Sequence, residues 1–385
     1  MNDSKIRVAL VGGGTIAPLH AKCLHSSPSC TLTAIIDPFP PGRQLAAKLS
    51  VAHFDTVGAL LASSEPRPDT YIICVPSDLH VPITKEIIAA ASPKTVLLEK
   101  PFSTNSASGQ DLVEFAEQRA CTILVGHHRR HHPAIAAGKE AIQSGKLGTL
   151  TAISGLWTIK KPPSYFQSAP WRAHRSKGGG PIWINFVHDI DVIHYWTGSH
   201  ARKLWAVRTP ARRHLRDAAV PETDRVEEGA AITIEFDNGV LGTFLVSDNV
   251  SSPFTWEVAS GENPLIPQSD MAVGAYRVFG TKGTISIPDG YFWSYPRETT
   301  EMKGREAGWH VPIQRDVLQI PGGSPFENQI EHLAKVVRGE EAPRCSAQDG
   351  LAAVRVCEAI VQALDRNDGL PILISGHVGI TDSKL

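Results

Sequence analysis

An apolar run at residues 6–11 passes directly into Gly12-Gly13-Gly14-Thr15-Ile16-Ala17, and no other feature limits the fold of this chain so tightly. A buried strand, a glycine turn and then a helical pattern make the phosphate-binding corner of a βαβ unit. Gly12 permits the sharp turn, Gly14 lets backbone approach a pyrophosphate, and Ala17 lets helix pack closely on strand. Thr15 and Ile16 fall at the helix N-terminus, where main-chain N–H groups favour phosphate. Pro18 is tolerated in that first turn. A second apolar run, 32–36, ends at Asp37. An acid there can accept the ribose 2′-OH of NAD and repel a 2′-phosphate. Arg43 lies nearby and keeps NADP open as the alternative cofactor.

Further apolar runs at 70–75, 95–98 and 122–125 alternate with helical patterns at 81–91 and 109–119. This alternation predicts an α/β Rossmann domain with a parallel, doubly wound sheet over residues 1–125. Beyond it the pattern changes. Runs at 149–159, 203–208, 230–236, 240–247, 255–259, 276–279 and 284–287 read as strands. Asp237-Asn238-Gly239 is a hairpin turn. Helical patterns at 182–196, 327–338 and 347–366 complete an α+β domain with a large, mostly antiparallel open sheet. It is expected over 126–375, followed by a flexible tail at 376–385.

The charge balance, 38 basic against 39 acidic residues, supports neither a nucleic-acid nor an anionic-membrane partner. No stretch is apolar enough to span a bilayer. Cys23, Cys30, Cys74, Cys121, Cys345 and Cys357 form no CxxC pair and read as reduced core thiols. The chain ends Ser383-Lys384-Leu385. In a eukaryote that tripeptide is a peroxisomal address bound by an import receptor, and otherwise a cytoplasmic location is expected.

Two strands end at the carboxyl edge of the first sheet, where open α/β sheets bind ligands. One delivers Pro76-Ser77-Asp78-Leu79-His80, the other Glu99-Lys100-Pro101. Pro76, Ser77, His80, Glu99 and Lys100 are expected along the cofactor. The following segment, Gly126-His127-His128-Arg129-Arg130-His131-His132-Pro133, pairs histidines at i, i+4. Pro133 favours a loop over a helical metal site, so no metal is expected. His128 and Arg129 are expected near the nicotinamide.

Together these motifs resemble the Gfo/Idh/MocA oxidoreductase family, over nearly the whole chain. The resemblance extends through the G-x-x-R-R-x-x-P turn at 126–133, through Trp171-Arg172 and Gly178-Gly179-Gly180, and to Gly280-Thr281-Lys282-Gly283. It implies a hydride transfer between nicotinamide and a carbinol or carbonyl of a sugar, polyol or related small molecule. It also implies a homodimer or homotetramer through the second-domain sheet. Lys100 matches the family's catalytic lysine and His188 its catalytic histidine. The family's aspartate four residues before that histidine is replaced by Ile184, followed by Asn185. Asn185 can orient a hydroxyl but cannot take a proton. Lys100 and His188 are therefore expected to act as a pair, with Asn185, Arg172 and Trp171 binding substrate. Which of the pair is the base stays open. So do an NAD-dependent glycoside hydrolase, an imine or carbonyl reductase, and a non-catalytic NAD sensor on the same scaffold.

Overall fold

A computed structural model describes residues 4–213, 220–263, 265–269, 274–296 and 306–374. The expected tail and its Ser383-Lys384-Leu385 address lie outside these residues. By packing, the chain forms two compact units that interleave in sequence. The first takes residues 1–137, 187–192 and 320–354, the second 138–186, 193–319 and 355–385.

The first unit is built on six parallel strands: β1 (Ile6–Val11), β2 (Cys30–Ile36), β3 (Ala52–Phe54), β4 (Thr70–Ile73), β5 (Thr95–Leu98) and β6 (Thr122–Val125). Their spatial order is β3-β2-β1-β4-β5-β6. Order reverses between β1 and β4, so the carboxyl ends of these strands flank the switch-point crevice. Strands covered on both faces read as continuous apolar runs. Val8, Leu10, Ile35, Ile72 and Leu97 are accordingly almost fully buried. The late helix Pro325–Val337 belongs to this unit and adds Ile330 and Leu333 to the same core. Ser324 caps it, and its Glu331 accepts from the Ser29 hydroxyl at 2.6 Å.

The second unit carries nine strands: β7 (Leu150–Thr158), β8 (Ala201–Arg208), β9 (Gly229–Phe236), β10 (Leu241–Ser247), β11 (Tyr276–Gly280), β12 (Thr284–Ile287), β13 (Tyr291–Ser294), β14 (Gln314–Val317) and β15 (Ile372–Leu373). They lie in the order β14-β13-β12-β11-β7-β10-β9-β8-β15. All neighbours are antiparallel except β7 and β10. The Asp237-Asn238-Gly239 turn joins β9 to β10, and Gly239 takes the φ of +82° that such turns require.

Several elements differ from expectation, among them the short strand β3, which no apolar run marked. The run 255–259 is a short helix, Trp256–Ser260, with Trp256, Glu257 and Val258 all buried. Three consecutive buried residues fit a strand with one solvated face poorly. Strands β13, β14 and β15 carry too little apolar alternation to be read, and β14 is exposed throughout. The expected helix at 182–196 opens as a π-turn, Ile182–Phe186, and only then becomes the α-helix Val187–Thr197. All six cysteines are buried and free. Among the described residues no helix is long and apolar enough to cross a membrane.

Candidate active site

The glycine turn is held from beneath and open above. Gly12 has φ +95°, and a Cβ there would meet the Cys74 carbonyl oxygen at 2.8 Å. A Cβ on Gly13 would lie 2.4 Å from the Gly42 Cα, whereas one on Gly14 would meet nothing within 4 Å. Ile16 caps the helix Ala17–Ser26, and Thr15 is exposed beside it. Asp37 is buried at the end of β2. Its Oδ2 accepts from the Gly13 N–H at 2.6 Å and its Oδ1 from Phe39 N–H at 2.8 Å. The acid thus fixes the turn while each oxygen retains accepting capacity. Arg43 is exposed and paired with Asp55 at 3.2 Å. Open backbone at Gly14, a helix N-terminus and a buried acid on β2 together fit a dinucleotide with an unmodified ribose.

At the end of β5, Glu99 is buried and Lys100 half-buried, and the Lys100–Pro101 peptide is cis. Glu99 Oε1 lies 2.7 Å from His20 Nε2, and Oε2 accepts the Lys100 N–H at 3.2 Å. Burial opposes ionisation of Glu99. The His20 hydrogen bond and the charges of His20, Lys100 and His128 outweigh it and hold the carboxyl at about 2. Gly126 is required here, since its Cβ would stand 3.0 Å from Glu99 Cα. Pro76 and Ser77 open the short turn after β4. Both ring nitrogens of His80 are committed to main-chain oxygens, Pro101 at 2.7 Å and Val75 at 3.0 Å. Its ring lies between the two loops and donates to one of these oxygens, whichever its tautomer selects.

The helix Val187–Thr197 places His188 in the same unit, 6% exposed. Its ring meets His127 edge-on at 5.7 Å and His128 at 5.1 Å, and His128 stacks on Phe326 at 4.2 Å. The neighbouring acids are spent on arginines. Asp189 accepts from Arg129 at 3.1 Å, and Asp191 grips Arg130 through bonds of 2.7–3.0 Å. His188 Nδ1 is buried with no hydrogen-bond partner among the described residues. Burial first, and then the charges of Lys100, Arg129, His128 and His127, push His188 well below the usual imidazole range. Burial likewise takes His127 down to about 4. A neutral imidazole within the field of a lysine ammonium can accept a proton while the ammonium stabilises the oxyanion left behind. Among the described residues no group of three or more His, Cys, Asp or Glu is arranged to hold a metal.

In the second unit, Asn185 lies on the π-turn and Ile184 is half-buried beside it. Asn185 Oδ1 accepts from Lys161 Nζ at 2.7 Å. Trp171 is 40% exposed, and Arg172 donates to the Tyr165 carbonyl at 2.7 Å. Sequence reasoning missed His20 and Lys161. His20 carries a signal in hindsight, lying on the turn's own helix, one turn after Ala17. Lys161, in a Lys160-Lys161-Pro162-Pro163 string, carries none.

Two family models match the chain. The NAD-binding Rossmann fold of an oxidoreductase family covers residues 6–127, and the C-terminal alpha/beta domain of the same family covers 139–372. The chain is 25% identical over 365 residues to an inositol 2-dehydrogenase of Rhizobium meliloti, covering 93% of this chain and 97% of that protein. It is 23% identical over 364 residues to the rhizopine catabolism protein MocA of Rhizobium meliloti, covering 94% and 96%. Its fold superposes with a TM-score of 0.72 on the WlbA dehydrogenase from Bordetella pertussis, solved with NADH and UDP-GlcNAcA. That pair shares 20% identity over 97% of this chain and 100% of the other.

Proposed function

This chain belongs to the Gfo/Idh/MocA family of NAD-binding oxidoreductases, and on that premise we propose that Lys100 and His188 catalyse oxidation of one carbinol, or the reverse reduction, on a sugar, polyol or related small molecule. The observation that carries this reading is the buried, uncharged His188, its Nδ1 unpartnered, within the field of Lys100. His188 takes the carbinol proton, and the Lys100 ammonium stabilises the developing alkoxide. A bound nicotinamide would supply the redox chemistry, as hydride acceptor or donor. Gly12, Gly14, Thr15, Ile16 and Asp37 would hold the dinucleotide, with Pro76, Ser77, Glu99, His128 and Arg129 along it. Preference for NAD over NADP is supported by the buried Asp37 and by Arg43 being turned to Asp55. Asn185, Arg172 and Trp171 are assigned to substrate binding.

The relatives' names make myo-inositol the first substrate to try. Lys100→Met should lower kcat by roughly a thousandfold, the scale of one lost electrostatic stabiliser, with NAD affinity nearly unchanged. The readout is absorbance at 340 nm over a polyol, sugar and ketone panel, with cofactor binding followed by fluorescence. Near-normal turnover in the variant would remove the lysine from the mechanism. We also infer a homo-oligomer through the second-unit sheet. Val207 and Leu245 are 54% and 40% exposed on one face, in register with Ala231 between them. Light scattering should report a dimer or tetramer, and a monomer at micromolar concentration would refute it.

A further inference from the structure

At the end of β7 the chain turns through Lys160 and Lys161 into the short helix Pro163–Gln167, then into a 3₁₀ turn, Pro170–Ala173. Lys161 from the first segment and Arg172 from the last meet at one ring. Lys161 Nζ lies 4.6 Å from the Tyr165 centroid and 5.2 Å from that of Trp157. The Arg172 guanidinium lies 4.0 Å from the Tyr165 centroid. Main-chain bonding holds Lys161 in place, since its N–H donates to the Asp248 carbonyl at 2.8 Å and Lys160 bridges Asn249.

The Lys161 side chain is only 9% exposed, yet among the described residues its ammonium makes one hydrogen bond, to the neutral amide of Asn185. The nearest acid, Asp248 Oδ2, stands 3.9 Å away, beyond hydrogen-bond reach. The other acids are occupied. Asp248 Oδ1 pairs with Arg213. Glu257 accepts from Trp157 Nε1 at 3.0 Å and from the Thr255 hydroxyl. Glu228 accepts the Arg212 and Arg213 N–H groups and the Asn249 amide. Arg172 donates to the Tyr165 carbonyl and, at 3.4 Å, to the Ser168 hydroxyl. Among the described residues it has no carboxylate partner.

Burying an ammonium is costly unless acceptors satisfy it. Among the described residues two of its three donors have no acceptor within hydrogen-bond reach, and the guanidinium beside it keeps donors on a planar fork. A carboxylate between Lys161 and Arg172 would give both cations an acceptor at hydrogen-bonding distance, which Asp248 Oδ2 at 3.9 Å does not give Lys161. Lys161, Arg172 and Arg213 are balanced by Asp248, Glu257 and Glu228, so the cluster has no surplus positive charge for a phosphate dianion and suits a singly charged anion better. We propose that Lys161 and Arg172 form a carboxylate-recognition subsite in the second unit, so that the enzyme's hydroxylated substrate is an acid such as an aldonate or uronate. The word substrate rests on the oxidoreductase reading above; the subsite itself stands or falls on binding.

Protonation adds a signature. Burial lowers Lys161 to about 8, with Asp248 and Glu257 opposing the shift and Arg213 and Arg172 reinforcing it. The ammonium is present at neutral pH and is lost above that value.

The test titrates NAD-loaded protein calorimetrically with D-gluconate and D-glucuronate, and with myo-inositol and D-glucose as uncharged controls. Initial rates at 340 nm are then measured on the same four compounds. One acid should bind roughly tenfold or more tighter than either control, the scale of a charged hydrogen bond. Lys161→Met and Arg172→Gln should each erase that preference, lowering the affinity for the acid more than for either control. Acid affinity should also fall as pH rises through about 8 in the wild type but not in Lys161→Met. No saturable binding of either acid, equal binding of acids and controls, or an unaltered preference in both variants would overturn the subsite. A loss of melting temperature in Lys161→Met with the preference intact would assign Lys161 a purely structural role. Lys161-dependent acid binding without NADH formation would retain the subsite and reject the dehydrogenase reading. NADH formed from uncharged polyols with no acid preference would do the reverse.

Discussion

The first unit buries histidines whose neighbouring acids are held by arginines, the second a lysine whose hydrogen-bond partner is a neutral amide, and burial pushes both kinds of group toward the uncharged form with opposite consequences. In the first unit His80, His127, His131, His188 and His332 all lie below the usual imidazole range, with burial the largest cause for each. The acids beside His188 are consumed by Arg129 and Arg130, so nothing nearby restores its charge. In the second unit burial lowers Lys161 too, but from so high a starting point that it stays charged at neutral pH. Desolvation thus prepares a proton acceptor in one unit and keeps an under-solvated cation in the other. The first arrangement suits chemistry, the second recognition.

The comparison breaks most visibly at His188. His188→Gln keeps a polar side chain but removes a group that can take a proton near neutrality. It should lower kcat roughly 100- to 10,000-fold, the span of general-base contributions. Cofactor affinity should hold, because the glycine turn and Asp37 are untouched. Because the free imidazole is depressed, kcat/KM in the wild type should stay flat on the acid side until well below pH 6.5. A fall centred at that pH would mean that His188 is either not buried or not the base. Stopped-flow and steady-state rates across pH separate these outcomes.

Acid should also separate the two units by stability. An imidazole depressed in the folded state binds its proton more readily when unfolded. The unfolded chain therefore gains protons first, and folding free energy is lost as pH falls below 6.5 and through the folded value. His127, at about 4, contributes on the order of 3 kcal/mol by this linkage, complete above pH 6.5 and lost by pH 4. The first unit should therefore lose hydrogen-exchange protection across that window before the second does. Uniform loss of protection across both sheets would contradict the weight assigned to His127 and its neighbours in the first unit.

Much of the first unit was legible in the sequence, and the reason is physical. Strands β5 and β6 and the latter part of β1 are covered on both faces, so they form apolar runs bounded by Gly, Pro or polar residues, and the bounds of all three agree with the sequence reading. Gly12, Asp37 and Lys100 follow from where such strands end. The second unit resisted in proportion to its exposure. Strand β14 has no buried residue, and the Trp256 helix imitates an apolar strand. The π-turn was invisible because one extra residue in a helical turn leaves no periodic mark over five positions. The Lys161 cluster draws on β7, two short loops and the π-turn, and residues so scattered show no spacing rule. His20 escaped for a related reason: its partner Glu99 is remote in sequence, and pairing of that kind is decided only by the fold.

The smallest expected effect is also the one that most directly opposes function to stability. A cation whose protonation is depressed by folding is unfavourable to the folded state at any pH where it is still charged. Lys161→Met removes that charge from a site walled by Trp157 and Tyr165, and replaces it with an apolar chain of similar length. Asp248 keeps Arg213 as its partner, so no carboxylate is left without a cation. The variant should therefore melt at the same temperature as the wild type or higher, with a gain of about 1 kcal/mol at neutral pH that fades as pH rises above 8. The wild type should close the gap because its own lysine loses the charge over that range. Such a protein, firmer yet unable to prefer an acid, would identify Lys161 as a residue kept for binding. A drop of several degrees at neutral pH would instead mean that Lys161 chiefly neutralises Asp248, and the contrast between the two units would then be one of packing alone.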